Sequence, residues 1–193
     1  YQETRIKAEP NGIENWIKTN PSLPDAAIVA TDISALSNVT NLLLNFGVKK
    51  ILVEKPAGLN SKEVYSTMQL ANKKKAKVFV AYNRRFYSSV LEAEKIIKKD
   101  GGVKSFFFDF SELSEKIKSL PYPKKVKEQW FLANSSHLVD LAFFLGGQPI
   151  QIVSKVEGKL PWHSKGAVFS GSGFCDNSLF AYHANWKGAG RWN

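Results

Sequence analysis

Two short polar motifs contain the residues of this sequence that could do acid–base chemistry. The first is Glu54-Lys55-Pro56, directly after the β-branched run 51–53, and the second is the segment 134–140 around His137. Histidine titrates close to neutral pH, so His137 is suited to taking or giving the proton of a hydroxyl group. An ordinary lysine is a poor base because its pKa is about 10.4, but burial would lower the pKa of Lys55 and let it assist a proton transfer.

The residues on either side of the first motif predict alternating strands and helices. Leu36, Val39 and Leu43 recur at helical spacing before Gly47, and Asn60 has capping-box spacing to Glu63. Buried strands are expected at Ala26 to Ala30, Ile51 to Val53 and Lys77 to Tyr82. Two consecutive right-handed crossover units of this kind predict a parallel sheet covered on both faces, which is half of a doubly wound α/β fold.

Candidate ligand-binding residues follow each predicted strand. They are Ala30 and Thr31 after the first, Glu54, Lys55 and Pro56 after the second, and the block 82–86 (Tyr-Asn-Arg-Arg-Phe) after the third. Open α/β sheets bind ligands at the carboxyl ends of their strands, so these groups are expected to border one crevice. The alternatives are that Glu54 and Lys55 are solvated at a strand end and that the two arginines form salt bridges at a domain junction.

The second half of the chain predicts a different architecture. A helix is expected around Ser89 to Lys98, a strand over 103–110, a helix over 136–145, and strands over 150–156, 167–174 and 178–186. In the last strand Phe180, Tyr182, Ala184 and Trp186 alternate onto one face. Residues 111–127 are polar and rich in lysine, which favours a surface loop. We therefore expect a dinucleotide-binding domain over 1–85 and an α+β domain with a largely antiparallel sheet over 86–193.

This order of elements resembles the glucose-fructose oxidoreductase and inositol dehydrogenase family of NAD(P)-dependent oxidoreductases. The resemblance rests on strand, Glu-Lys-Pro, helix, strand and the block 82–86 before a second α+β domain, and it covers nearly the whole chain. Glu-Lys-Pro alone is common, whereas its placement 26 residues before Tyr82 in this element order is much more specific.

The resemblance implies roles for the strand-end residues. Lys55 would contact the nicotinamide ribose and the reacting hydroxyl of the substrate, with Glu54 beside the ribose. Ala30, Thr31 and Pro56 would line the cofactor, and Asn83 and Arg84 would approach the nicotinamide or the substrate. The cofactor would be NAD or NADP.

The segment around His137 supplies the second set of candidates. His137 and Asp140 are separated by three residues, so they share a helical face with Phe144. The family places its histidine at the start of this helix, which makes His137 the catalytic acid–base and Asn134, His137, Asp140 and Lys55 the candidate substrate contacts. Many members have an aspartate four residues before that histidine, where this chain has Ala133. A capped surface histidine is the alternative.

The glycine-rich phosphate-binding turn of dinucleotide-binding folds is absent from this sequence. The run Gly171-Ser172-Gly173 lies between strand-like segments without a following helix, so we interpret it as a turn or bulge. Because the chain begins at Tyr1 and its one methionine is Met68, we expect truncation at the N-terminus, and at the C-terminus as well.

Composition limits the function classes. The net charge of +10 could favour nucleic acid, but the lysine clusters lie in predicted helix ends and loops, so a lysine-rich surface and no nucleic-acid partner are expected. No long apolar run or signal-peptide pattern occurs, so neither membrane insertion nor export is expected and a cytoplasmic location is the default. One cysteine and three scattered histidines predict neither a disulfide nor a metal site.

The sequence thus predicts hydride transfer between nicotinamide and a hydroxyl-bearing carbon of a sugar, sugar nucleotide or polyol. The alternative is a non-catalytic binding or regulatory protein on the same scaffold. A homo-oligomer is expected through an exposed aromatic face of the second-domain sheet, which would include Phe106, Phe107, Phe108, Tyr182 and Trp186.

Overall fold

A computed structural model describes residues 8–20 and 22–188, and the chain divides into two compact units, residues 1–81 and 82–193. The first unit contains helix α1 (Gly12–Thr19), strand β1 (Ala27–Val29), helix α2 (Leu36–Phe46), strand β2 (Lys50–Val53), helix α3 (Ser61–Lys73) and strand β3 (Lys77–Val80). The strands form a parallel sheet in the order β1-β2-β3. The predicted strand–helix alternation and parallel pairing are confirmed.

The three-stranded sheet is covered by helices on one face. Val29, Ile51 and Val53 are buried in the core that includes the α2 residues Leu43 and Leu44. Ile28, Leu52 and Phe79 pair across the sheet on the other face and are 76%, 41% and 60% exposed. The prediction of a sheet covered on both faces is therefore wrong for the described residues. Both crossovers move in the same direction across the sheet, and two right-handed crossovers of that kind place their helices on the same face.

The ends of α2 and α3 have the predicted local chemistry. Gly47 ends α2 with φ 115°, and its N–H donates to the Leu43 carbonyl at 3.1 Å. At the start of α3, Asn60 Oδ1 accepts the Glu63 N–H at 3.0 Å. The Glu63 carboxylate returns to Asn60 Nδ2 at 2.8 Å and to the Leu59 N–H at 2.9 Å. The cap is confirmed, with the reciprocal backbone bond made one residue earlier than in a standard capping box.

The second unit contains a mixed four-stranded sheet. Its elements are a 3₁₀ helix (Asn83–Phe86), α4 (Ser88–Lys99), β4 (Ser105–Asp109), α5 (Ser114–Ser119), α6 (Lys124–Lys127), a π-helix (Phe131–Ser135), α7 (Ser136–Gly146), β5 (Pro149–Glu157), β6 (Val168–Cys175) and β7 (Leu179–Asn185). The strand order is β4-β7-β6-β5, with β4 parallel to β7 and the other pairs antiparallel. The predicted α+β architecture with a largely antiparallel sheet is confirmed.

Aromatic side chains fill the space between this sheet and α7. Phe180 is 3% exposed, and its ring centroid lies 5.0 Å from that of Phe143 on α7. Trp186 is fully buried, so the predicted alternation along β7 is confirmed. The predicted exposed aromatic face is wrong as named, because Phe106, Phe108, Tyr182 and Trp186 lie on the face that packs inward. Phe107, which points the other way, is 66% exposed.

The segment 111–127 contributes to this core. Its composition predicts a surface loop, and that prediction is wrong, because the segment forms α5 and α6, and Ile117 and Val126 are 4% and 2% exposed. Each helix is only one or two turns long, too short to show an apolar period among the lysines.

Gly171 and Gly173 lie inside β6, so the interpretation as a turn or bulge is wrong. Both residues keep regular register with β7, opposite Tyr182 and Phe180. A Cβ atom at Gly173 would lie 2.0 Å from the Gln151 carbonyl oxygen, and one at Gly171 would lie 2.5 Å from the Tyr182 ring and hydroxyl. Glycine is required here by the close approach of neighbouring groups.

Within the part of the chain that the structure describes, no helix is both long enough and apolar enough to span a lipid bilayer.

Candidate active site

The carboxyl ends of the three parallel strands lie side by side at one edge of the sheet. The Glu54 N–H donates to the Val29 carbonyl at 2.9 Å, and the Ala81 N–H donates to the Val53 carbonyl at 2.8 Å. These two bonds continue the parallel pairing of β1, β2 and β3 by one residue beyond the ends of the strands. By this register, Ala30 and Thr31 follow β1 at the edge where Glu54 and Lys55 follow β2.

A tight turn at the end of β2 fixes Glu54 and Lys55. The Glu54 carbonyl accepts the Ala57 N–H at 3.0 Å, and Glu54 Oε2 accepts the backbone N–H of Lys55 at 3.1 Å. Pro56 follows through a cis peptide bond and is buried, whereas Lys55 is half-buried and Glu54 is exposed. The turn therefore anchors Lys55 at the sheet edge where parallel sheets bind their ligands.

The turn between β1 and α2 has no glycine, and Asp32 makes hydrogen bonds within it. Asp32 Oδ1 accepts the Ser34 N–H at 2.9 Å and the Ser34 hydroxyl at 2.5 Å. The turn therefore lacks the glycine-rich cradle of backbone N–H groups that binds a pyrophosphate in dinucleotide-binding folds.

In the second unit, the start of α7 is shaped by the π-helix before it. The Ser136 N–H donates to the Phe131 carbonyl five residues earlier, and the Ser136 hydroxyl donates to the Leu132 carbonyl at 2.7 Å. This widened turn leads directly to His137, which is half-buried and meets the Tyr82 ring edge-on, with the ring centroids 6.0 Å apart. Single π-turns inside helices occur frequently at functional sites.

Glu112 joins this segment from 22 residues earlier in the chain. Its Oε1 accepts the Asn134 Nδ2–H at 2.6 Å and the Ser135 hydroxyl at 3.0 Å. Glu112 is 7% exposed and Ser135 is fully buried. Sequence reasoning missed Glu112 because it lies in the segment that was interpreted as a loop, and no local pattern marks it.

Asp140 is bound by Arg85. Arg85 Nε donates to Asp140 Oδ2 at 2.8 Å, and a second guanidinium N–H bonds the other carboxylate oxygen. The guanidinium also lies over the rings of Tyr82 and Phe144, 5.8 and 5.0 Å from their centroids. The bond to Asp140 raises the pKa of Arg85, while burial raises the pKa of the Tyr82 phenol. Asp140 therefore connects α7 to the 3₁₀ helix.

The same 3₁₀ helix carries Asn83 and Arg84. Asn83 is exposed and Arg84 is half-buried. A cavity of about 620 Å³ opens beside this helix and α7, and its walls include Tyr82, Arg85 and Asp140. Of the predicted site residues of the second unit, the cavity is lined by Asp140 alone, while Asn83 and Arg84 lie on the 3₁₀ helix, Asn134 lies in the π-helix and His137 lies at the start of α7. Ala30, Thr31, Glu54, Lys55 and Pro56 are grouped in the first unit.

Solved dehydrogenases and oxidoreductases share this fold. Levoglucosan dehydrogenase, solved in complex with NADH and levoglucosan, is 20% identical with a TM-score of 0.69, and the match covers 88% of this chain and 50% of that one. The WlbA dehydrogenase from Bordetella pertussis, in complex with NADH and UDP-GlcNAcA, is 12% identical with a TM-score of 0.72, covering 93% and 53%. An NAD binding oxidoreductase from Klebsiella pneumoniae is 17% identical with a TM-score of 0.71, covering 91% and 51%.

The chain spans about half the length of these solved structures. Neither a family model nor a curated protein matches it. At these identities the likeness establishes the fold, a Rossmann-like sheet and a second α+β unit.

Proposed function

We propose that this chain belongs to an NAD(P)-dependent oxidoreductase of the glucose-fructose oxidoreductase and inositol dehydrogenase type. It would act on a hydroxyl-bearing carbon of a sugar, sugar nucleotide or polyol. The observation that carries the proposal is the placement of Glu54 and Lys55 at the carboxyl edge of a parallel sheet. Solved proteins of the same fold, levoglucosan dehydrogenase and WlbA, hold NADH together with a sugar or sugar nucleotide.

The described residues fit one half of a dinucleotide. Thr31, Glu54 and Lys55 offer a hydroxyl, a carboxylate and an ammonium group at the sheet edge, which suits the hydroxyls of a nicotinamide ribose. The turn after β1 offers no cradle for the pyrophosphate, because it lacks glycine and carries Asp32. We therefore assign Ala30, Thr31, Glu54, Lys55 and Pro56 to the nicotinamide riboside half, with Asn83 and Arg84 as further contacts.

The proposed chemistry divides between two side chains. Lys55 binds the oxygen of the reacting hydroxyl, and His137 takes its proton in oxidation or returns the proton in reduction. A bound nicotinamide supplies the hydride acceptor or donor. Asn134 and Asp140 complete the proposed substrate contacts, although Arg85 already occupies both oxygens of Asp140.

We test the proposal by titrating the ¹⁵N-labelled chain with NADH and following backbone amide shifts. The expected result is a set of shifts at residues 30, 31, 54, 55 and 57, with binding weakened about tenfold by Lys55→Ala, equivalent to about 1.4 kcal/mol. Lys50→Ala is the matched control, because Lys50 is an exposed lysine at the opposite end of the same strand. The proposal fails if no shift occurs at the strand ends, or if Lys50→Ala weakens binding as much as Lys55→Ala. The second result would indicate attraction to the net charge of +10 alone.

A second candidate, nucleotide binding without turnover, is favoured by Ala133 at the position where the family often has an acid. NADH shifts without hydride transfer to any sugar would support it.

We also propose that two copies of the chain associate through the outward face of the four-stranded sheet. Phe107 and Val153 are 66% and 64% exposed on the outer strands, and the smaller residues Ala181 and Ser172 lie between them in register. This arrangement leaves a shallow groove of about 530 Å³ with apolar edges.

A further inference from the structure

The connection between β5 and β6 contains a small hairpin, residues 160–165, that covers part of the aromatic core of the second unit. The Leu160 N–H donates to the His163 carbonyl at 2.9 Å, and the His163 N–H donates to the Leu160 carbonyl at 3.1 Å. The Trp162 side chain is 5% exposed and stacks on Trp186, with the ring centroids 5.7 Å apart. His163 is 2% exposed, so the hairpin inserts two neighbouring rings into the same core.

Polar side-chain contacts attach the hairpin to α5 and to the end of α6. Trp162 Nε1 donates to the Ser114 hydroxyl oxygen at 2.9 Å. Glu128 Oε2 accepts the Ser164 N–H at 3.2 Å and the Ser164 hydroxyl at 2.8 Å, and both of these bonds lie at the exposed surface. Because water competes for exposed hydrogen bonds, the burial of the two rings contributes most of the free energy that keeps the hairpin closed.

The buried His163 ring is held in its neutral form. Its Nδ1 lies 2.8 Å from the Gly166 carbonyl oxygen, which can only accept, so Nδ1 carries the hydrogen and Nε2 is unprotonated. A second proton would have to be added at Nε2, which has no hydrogen-bond partner among the residues that the structure describes. Burial lowers the pKa of His163, because the charged ring would lose its hydration in this core.

The groups around the ring do not compensate a positive charge on His163. Glu128 at the end of α6 attracts such a charge, but Lys165 in the hairpin repels it, and Lys124 of α6 partly neutralises Glu128. None of the ion pairs in the described part of the chain includes His163. The other side chains in contact with the ring are aromatic and uncharged: Trp162, Phe169 and Trp186.

We propose that the 160–165 hairpin is a pH-operated cover, which leaves the aromatic core when His163 gains a second proton and exposes Trp162 and Trp130 while the sheet stays folded. Trp130 is 7% exposed and meets the Trp162 ring edge-on, with the centroids 6.3 Å apart, so it loses its covering when Trp162 moves out. The strands β6 and β7 pair over 168–174 and 179–185, outside the hairpin.

The direction of the response follows from proton linkage. The released histidine has an ordinary pKa of about 6.5, and the buried histidine has a lower one. The closed form is therefore fully favoured above pH 6.5, and each pH unit below that value favours the open form by up to tenfold until the buried ring itself takes a proton. The proposal is independent of the proposed function, because the hairpin and its contacts include no candidate site residue.

Hydrogen exchange measured by NMR on the ¹⁵N-labelled chain tests the proposal. The Leu160 and His163 backbone N–H groups report on the hairpin, and those of 170–173 report on the sheet. As the pH falls from 7 to 5, the protection of the hairpin N–H groups, corrected for the intrinsic pH dependence of exchange, should fall about tenfold. The protection of the sheet N–H groups should stay within about twofold.

Three variants assign the response to His163. His163→Gln takes up no proton in this range, so its hairpin protection should stay within about twofold between pH 7 and pH 5. His183→Gln is the matched control, because it removes a histidine of β7 outside the hairpin, and it should respond as the wild type does. Glu128→Gln weakens the contacts to Ser164 and should lower hairpin protection about threefold at both pH values. If His163→Gln does not fold, the His163 ring signals of the wild type are titrated, and their proton uptake should coincide with the loss of hairpin protection.

The outcomes separate a local cover from general acid unfolding. Unchanged hairpin protection between pH 7 and pH 5 in the wild type overturns the proposal. Equal loss of protection in the hairpin and in the sheet overturns it as well, because the whole unit then unfolds. A wild-type response in His163→Gln, or proton uptake by His163 with the hairpin still protected, shows that this ring does not operate the hairpin.

Discussion

The ion pair between Arg85 and Asp140 should be the strongest polar link between the 3₁₀ helix and α7. Asp140 is 11% exposed and Arg85 is 39% exposed, and the two side chains share two charge-assisted hydrogen bonds. Each such bond contributes about 1.5–3 kcal/mol when desolvated. Because Arg85 is more than one-third exposed, solvent screening reduces the total, and we expect a coupling free energy of about 2 kcal/mol.

The two single variants should differ in a defined order. Asp140→Asn leaves an arginine that water can still reach, so it should lower the free energy of unfolding by about 2 kcal/mol. Arg85→Gln leaves a nearly buried carboxylate without its cation, so it should cost about 3 kcal/mol. The double variant should cost little more than Arg85→Gln alone.

Urea unfolding followed by tryptophan fluorescence measures these free energies. Trp130, Trp162 and Trp186 are buried together in the second unit and report its unfolding. The exposed pair Glu94–Lys98 on α4 is the control, and Glu94→Gln should change stability by no more than about 0.5 kcal/mol. A coupling below about 0.5 kcal/mol, or Asp140→Asn being the costlier single change, would refute this account of the pair.

Two further predictions concern pH and self-association. His163 is 2% exposed, and its Nδ1 lies 2.8 Å from the Gly166 carbonyl oxygen. Burial lowers the pKa of His163 below 6.5, so the unfolded chain binds a proton at this histidine more readily than the folded chain does. The contribution of His163 to the free energy of unfolding should therefore be present above pH 6.5 and decline as the pH falls below that value. Unfolding measured across this range should lose that part of its pH dependence in His163→Gln but keep it in His183→Gln, and equal slopes in the two variants would contradict the assignment. Val153→Asp on the outward face of the four-stranded sheet should weaken dimerisation at least about tenfold in light scattering, because it places an unpaired charge in an apolar contact. Lys155→Asp, on the same face nearer the end of β5, is the exposed-charge control, and a wild-type chain that stays monomeric at high concentration would end the dimer proposal.

Local patterns in the sequence predicted those elements whose stabilising contacts are close in the chain. Asn60 and Glu63 are three residues apart, and their side chains cap α3 without help from any distant segment. The alternation of Phe180, Ala184 and Trp186 shows a strand with one buried face because strand geometry alone separates odd from even positions. Alternation does not show which of the two faces of the sheet packs inward. The aromatic face that was expected to be exposed packs against Phe143 of α7.

Elements stabilised by distant contacts could not be predicted in this way. Gly173 resembles a turn residue in the sequence, but the Gln151 carbonyl and the Phe180 ring exclude a side chain there. Both groups come from the neighbouring strands β5 and β7, and the local sequence around Gly173 does not show which strands will pair with β6. In the same way, α5 and α6 are too short for their own periodicity, and they are identified only by the burial of Ile117 and Val126.

The candidate site shows the same limit with a chemical consequence. Sequence spacing placed Asp140 on the same helical face as His137 and suggested Asp140 as a substrate contact, but Arg85, from 55 residues earlier, binds both of its oxygens. The position where the proposed family often has an acid is Ala133, yet the fold brings the carboxyl group of Glu112 to the next two residues, Asn134 and Ser135. A carboxyl group is therefore present beside the start of α7, supplied by a different part of the chain.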